Sequence, residues 1–70
     1  MLSLRIDGRK VRRLREGRGL SVADVAQAAG RSKWAIYKIE RGQNQPSPHV
    51  YAALRTLLQA TDEDLVAEGD

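Results

Sequence analysis

Five side chains between Lys33 and Arg41 have types and spacing suited to recognition chemistry. At about 100° per residue, Trp34, Tyr37, Lys38 and Arg41 project from one side of a helix while Ala35, Ile36 and Ile39 project from the other, and Lys33 opens the stretch. One face is dry; the other mixes cations with aromatic rings. Such a face donates hydrogen bonds and stacks. No nucleophile accompanied by a base and an acid stands elsewhere in the chain, so the sequence predicts no enzyme.

The remaining inventory narrows the classes further. Without cysteine there is neither a disulfide framework nor a thiolate metal site, and the lone His49 has no second histidine with which to share a metal. His49 reads as an exposed first-turn residue. Asp62, Glu63 and Asp64 form an acidic run, but successive helical carboxylates point in different directions and the spacing and glycine of a calcium loop are absent. They complement a helix dipole instead. The chain is therefore expected to hold no metal and no cofactor.

Charge is distributed unevenly. Residues 1–45 carry 11 Lys and Arg against 4 Asp and Glu, and residues 46–70 carry 1 against 5, so a net +3 is the sum of halves at +7 and −4. A basic front with an acidic back suits a polyanion on one side, the electrostatic footprint of a nucleic-acid binder. Arg9, Lys10, Arg12 and Arg13 contribute to that front; they read as a solvated surface from which one or two reach phosphates. Seventy residues make one domain, 1–70, with its core at about 8–66 and marginal stability on its own. The opening MLSLRIDGRK has no apolar run long enough for a signal peptide or membrane span, which predicts a cytoplasmic chain without a membrane partner.

The elements that must position the Lys33–Arg41 face are legible from caps and breaks. Ser21 with Asp24 makes a short-armed capping box; Val25, Ala26 and Ala29 share one face, and Leu20 is placed to staple onto Val25. Gly30 ends that helix, because only a residue without Cβ takes a positive φ freely. Ser32 caps the next helix at once. Two helices this close must cross, with Ala26 at their nearest approach: a helix-turn-helix unit over Ser21–Glu40.

Around this unit the sequence predicts three more helices and no strand. Asp7 caps a first helix to about Glu16, with Ile6 stapled to Val11 and with Val11 and Leu14 on its buried face. Arg15 lies beside that face, and a partly buried arginine needs a carboxylate, for which Glu40 is the candidate. Gly42 and Pro46 close the third helix, and the polar loop Arg41, Gln43, Asn44, Gln45 offers donors. Ser47 and Pro48 start a fourth helix whose arc of Val50, Tyr51, Leu54, Leu57 and Leu58 is broad enough for the core and a partner. Thr61 with Asp64 caps a short fifth, with Leu65 and Val66 on its apolar side.

Together, VRRLREGRGLS, VADVAQAAGRSKWAIYKIERG and QNQPS resemble the phage repressor and Cro-like (lambda-repressor-like) helix-turn-helix family from about Gly8 to Val66. The resemblance implies an all-α bundle of five short helices with the second helix of the motif, 32–40, in the major groove. It implies base readout by Lys33, Trp34, Tyr37 and Lys38, since lysine donates to guanine and aromatic rings pack on thymine methyls or sugars. Ser32, Arg31, Arg41, Gln43 and Asn44 match phosphate-contacting positions, and Arg15 with Glu40 matches a structural salt bridge. Three residues depart from the pattern: Val22 replaces an anchoring glutamine, Arg31 a commonly apolar residue, and Gln59 the glycine that often ends the fourth helix.

The expected function is sequence-specific double-stranded DNA binding as a transcriptional regulator, a repressor working as a homodimer on a palindromic operator. The alternative is an antitoxin or protein-interaction adaptor that offers Leu57, Leu58, Leu65 and Val66 to a protein partner.

Overall fold

In the computed structural model, which describes residues 5–67, each helix begins where a short oxygen-bearing side chain can take up a free amide. Asp7 accepts from Arg9 N before α1 (Gly8–Gly17), Ser21 from Asp24 N before α2 (Val22–Ala29), and Ser32 from Ala35 N before α3 (Lys33–Glu40). Ser47 accepts from Val50 N before α4 (Pro48–Leu58), and Thr61 from Asp64 N before α5 (Asp62–Leu65). The capping boxes at Ser21 and Thr61 are complete, with each Asp carboxylate accepting in turn from the cap amide. The fold is all-α, with α2 and α3 as the predicted two-helix unit.

Each helix buries one stripe. Val11 of α1, Val25 and Ala29 of α2, Ile36 of α3, Leu54 and Leu58 of α4 and Leu65 of α5 meet in one core that also takes in Val22, Ile39 and Val50. Removing such a side chain fully from water stabilises by about 1.5–3 kcal/mol before entropy is counted. This changes the reading of the last two helices. Leu58 and Leu65, expected on a partner face, have no exposed surface because they lie inside the core, with α4 packed on α2 and α5 on α1; only Leu57 and Val66 of that group stay half-buried.

The chain ends of the described part are joined by backbone rather than by a staple alone. Ile6 and Val66 form an isolated antiparallel bridge, flanked by Asp7 N to Leu65 O at 2.9 Å and Ala67 N to Arg5 O at 2.8 Å. Val66 is accordingly extended, not helical. Two further contacts hold the start of α1. A Cβ on Gly8 would fall 2.3 Å from the Ile39 carbonyl oxygen, so α1 begins directly on the last turn of α3. Gln45 then pins Ile6 from the loop, its Oε1 accepting from Ile6 N at 2.6 Å and its Nε2 donating to Ile6 O at 3.4 Å. Gln45 thereby ties the polar loop to the segment that leads into α1.

Gln59, which stands where the resembled family often has glycine, ends α4 in the left-handed region, at φ 51. The geometry a glycine would adopt freely is thus imposed on a glutamine. No helix among the described residues is long and apolar enough to cross a membrane.

Candidate nucleic-acid interface

The turn between α2 and α3 is as short as the sequence allows. Gly30 takes φ 67, Arg31 N donates back to Ala26 O at 2.9 Å, and Ser32 is already the cap of α3. α3 is held from behind by Ile36 and Ile39, both buried, so its opposite side faces solvent. There Trp34 is 59% exposed and Tyr37 40% exposed, the exposed large hydrophobics of the described residues.

Neither ring stands alone. The Lys38 ammonium lies 5.6 Å from the Trp34 ring centroid, and the Arg41 guanidinium carbon lies 5.9 Å from that of Tyr37. Both pairs are spaced i, i+4, the separation at which helical side chains meet. Cation–π attraction at such distances is worth about 0.5–1 kcal/mol when exposed, enough to bias where each cation sits.

Beside these pairs a cleft of about 550 Å³ opens between α1, the start of α2 and α3. Arg12, Lys33, Tyr37 and Arg41 line it with Ser21, Val22 and Ala23. The start of a helix aims free amides outward, and here four side chains able to donate surround it. The sequence does not distinguish among Arg9, Lys10, Arg12 and Arg13. The structure brings Arg12 to the cleft, where it also pairs with Glu16 at 3.1 Å, whereas Lys10 donates to Val66 O at 2.9 Å on the far side of α1. Arg18 is used in the same structural way, donating to Leu58 O at 2.6 Å. Val22 is buried, so the residue that departs from the anchoring glutamine supports the core from below the cleft.

The rear wall of the cleft is Arg15 with Glu40. Nε donates to Oε2 at 2.7 Å and Nη2 to Oε1 at 3.1 Å, with both residues 9% exposed, and Nη1 donates to Leu20 O at 2.9 Å. The hydrogen-bonded Glu40 carboxylate holds the Arg15 guanidinium above its ordinary value.

The remaining sequence-named residues fringe this surface. Ser32 is exposed, its Oγ accepting from Ala35 N at 3.2 Å, which leaves the hydroxyl proton free to donate. After α3, Gly42 at φ 79 folds the chain back so that Gln43 N and Asn44 N both donate to Lys38 O, at 2.9 and 3.3 Å. This presents the Gln43 and Asn44 side chains to solvent. Arg31, also exposed, shares a second groove with Asn44. The arrangement offers cations, aromatic faces and neutral donors on exposed surface along and beside α3.

Comparison with known proteins agrees with this geometry. The family model described as a helix-turn-helix domain matches residues 8–68. A Methanocaldococcus jannaschii protein named as an HTH-type transcriptional regulatory protein is 38% identical over 55 residues, covering 79% of this chain and 17% of that protein. The chain thus spans about a sixth of that relative's length. The restriction-modification controller protein C.AhdI from Aeromonas hydrophila superposes with a TM-score of 0.73 at 30% identity, over 81% of this chain and 86% of that one. The clp gene regulator ClgR from Corynebacterium glutamicum superposes at 0.75 with 26% identity, over 81% and 61% respectively. All three are named for regulation or control.

Proposed function

The chain belongs to the helix-turn-helix family, of the phage repressor and Cro-like kind, and from that premise we propose that it is a sequence-specific repressor with α3 in the major groove of duplex DNA. DNA binding in transcription regulation is the function of the family. The observation that supports the finer reading is the outer face of α3, where Trp34, Tyr37, Lys38 and Arg41 stand clear of a core that holds Ile36 and Ile39 behind them.

In this reading Lys33, Trp34, Tyr37 and Lys38 address base edges. Lysine donates to guanine O6 and N7, and the rings meet methyls or sugars. Arg41, Ser32, Arg31, Gln43 and Asn44 hold phosphates, with Arg12 added by the cleft; these contacts fix register and carry no sequence information. A helix of eight residues reads only a few base pairs, so a second copy on a half-site about one helical turn away supplies the rest of the specificity. Repression then needs no chemistry beyond occupancy of the site.

Selection of bound duplexes from a random pool tests this. A consensus of two inverted half-sites about one turn apart is the expected result. Retention of all sequences alike would leave a non-specific binder, and retention of none would remove DNA from the account.

A further inference from the structure

We propose that Trp34 and Lys38 act as one reading unit for a base step in which a C5-methylated pyrimidine neighbours a guanine. This rests on the reading above, in which α3 faces base edges.

Trp34 has one donor, the indole N–H, on a side chain that is otherwise apolar; its exposed ring area gains most from an apolar contact. On the major-groove edge of the four ordinary bases the one apolar group is the thymine C5 methyl. 5-Methylcytosine carries a methyl at the same ring atom, so either base presents the same chemistry to the ring.

Lys38 is one turn further along and half-buried, with its ammonium 5.6 Å from the Trp34 centroid. Holding the ammonium near the ring restricts where its three N–H groups can go. Lysine has donors and no acceptor. Guanine presents two acceptors, O6 and N7, whereas adenine pairs its N7 acceptor with an N6 amine that repels an ammonium. Guanine is therefore the base this cation prefers.

Spacing decides how the two preferences combine. Successive base pairs rise about 3.4 Å. The ring-to-ammonium separation of 5.6 Å lies between one rise and two, which lets the ring and the ammonium reach neighbouring pairs. The similar pair Tyr37 and Arg41 lines the cleft beside Arg12, of which Trp34 and Lys38 form no part.

The test uses the full chain and the duplex selected from the random pool. At each thymine in turn, replacement by uracil removes the methyl alone; at the same positions, duplexes with cytosine and with 5-methylcytosine are compared. One methyl of buried apolar surface corresponds to about a fourfold change in affinity. We expect one position at which uracil binds about fourfold more weakly than thymine and 5-methylcytosine about fourfold more tightly than cytosine, beside a guanine whose replacement by adenine also weakens binding. A gain with thymine alone assigns the site to thymine, and equal gains assign it to the methyl whichever base bears it. Trp34→Ala, at a position outside the core, should abolish the thymine–uracil difference while circular dichroism stays unchanged, and Lys38→Ala should abolish the guanine preference. Equal affinity for thymine and uracil at every position would overturn the inference and leave DNA binding intact. If no duplex is retained, the proposed function fails instead.

Discussion

Arg15 and Glu40 join the first helix to the third through two parallel hydrogen bonds of 2.7 and 3.1 Å at a site where each residue is 9% exposed. Because α3 carries the candidate base-reading face, this pair fixes that face relative to α1 and to the cleft between them. Removing one partner strands a buried charge. Arg15→Ala and Glu40→Ala should each destabilise by about 3–5 kcal/mol in urea unfolding, while the double replacement costs much less than the sum. Additive losses would show that the pair is not coupled.

Glycines at the two ends of α1 should respond with opposite signs. Gly8→Ala places a methyl 2.3 Å from a backbone carbonyl oxygen of α3, so the helices must separate, at about 1–3 kcal/mol, more than the gain in helix propensity returns. Gly17 has nothing within 4 Å of the added carbon, and Gly17→Ala should stabilise by about 0.5–1 kcal/mol. Thermal midpoints of the two variants decide it.

Gln59→Gly relieves the left-handed strain, about 1–2 kcal/mol for a residue with Cβ, against the extra unfolded-state entropy of glycine. A net gain of about 0.5–1 kcal/mol is expected, read as a higher urea midpoint. A lower midpoint would mean that the strain account of this helix end is wrong.

Acid should loosen both capping boxes. Asp24 and Asp64 are held below the ordinary carboxyl value of 3.8, chiefly by the amides of Ser21 and Thr61 that donate to them. A carboxyl lowered in the folded state contributes stability that is fully present above its unfolded value and lost as pH falls through the folded one. Unfolding followed from pH 5 down to about 2 should show stability falling below about pH 4, and Asp24→Asn should flatten part of that fall.

Caps and breaks were legible in the sequence because they are local. Ser21 with Asp24, Gly30, Ser32, Ser47 with Pro48, and Thr61 with Asp64 each specify a helix end from residues a few positions apart, and the two faces of α3 follow from its period. What was not legible depends on contacts distant in sequence. Nothing near Gly8 announces a carbonyl of residue 39 above it, and nothing near Gln45 shows that it pairs with Ile6. Leu58 and Leu65 look like surplus apolar area until the helices are packed, when both lie inside the core. In the candidate site, periodicity placed Trp34 and Tyr37 outside. The choice of Arg12 among four neighbouring cations required the cleft itself.

The central claim is that the α3 face and its flanking cations hold duplex DNA, and its most direct measurement is equilibrium binding of the selected duplex across a salt series. Log affinity should fall linearly and steeply with log salt as phosphate-bound counterions are released. Arg41→Ala should weaken all sequences alike and shorten the slope by about one, whereas Lys38→Ala should relax preference at one or two base pairs. An affinity indifferent to salt, or one unmoved by both replacements, would contradict the account.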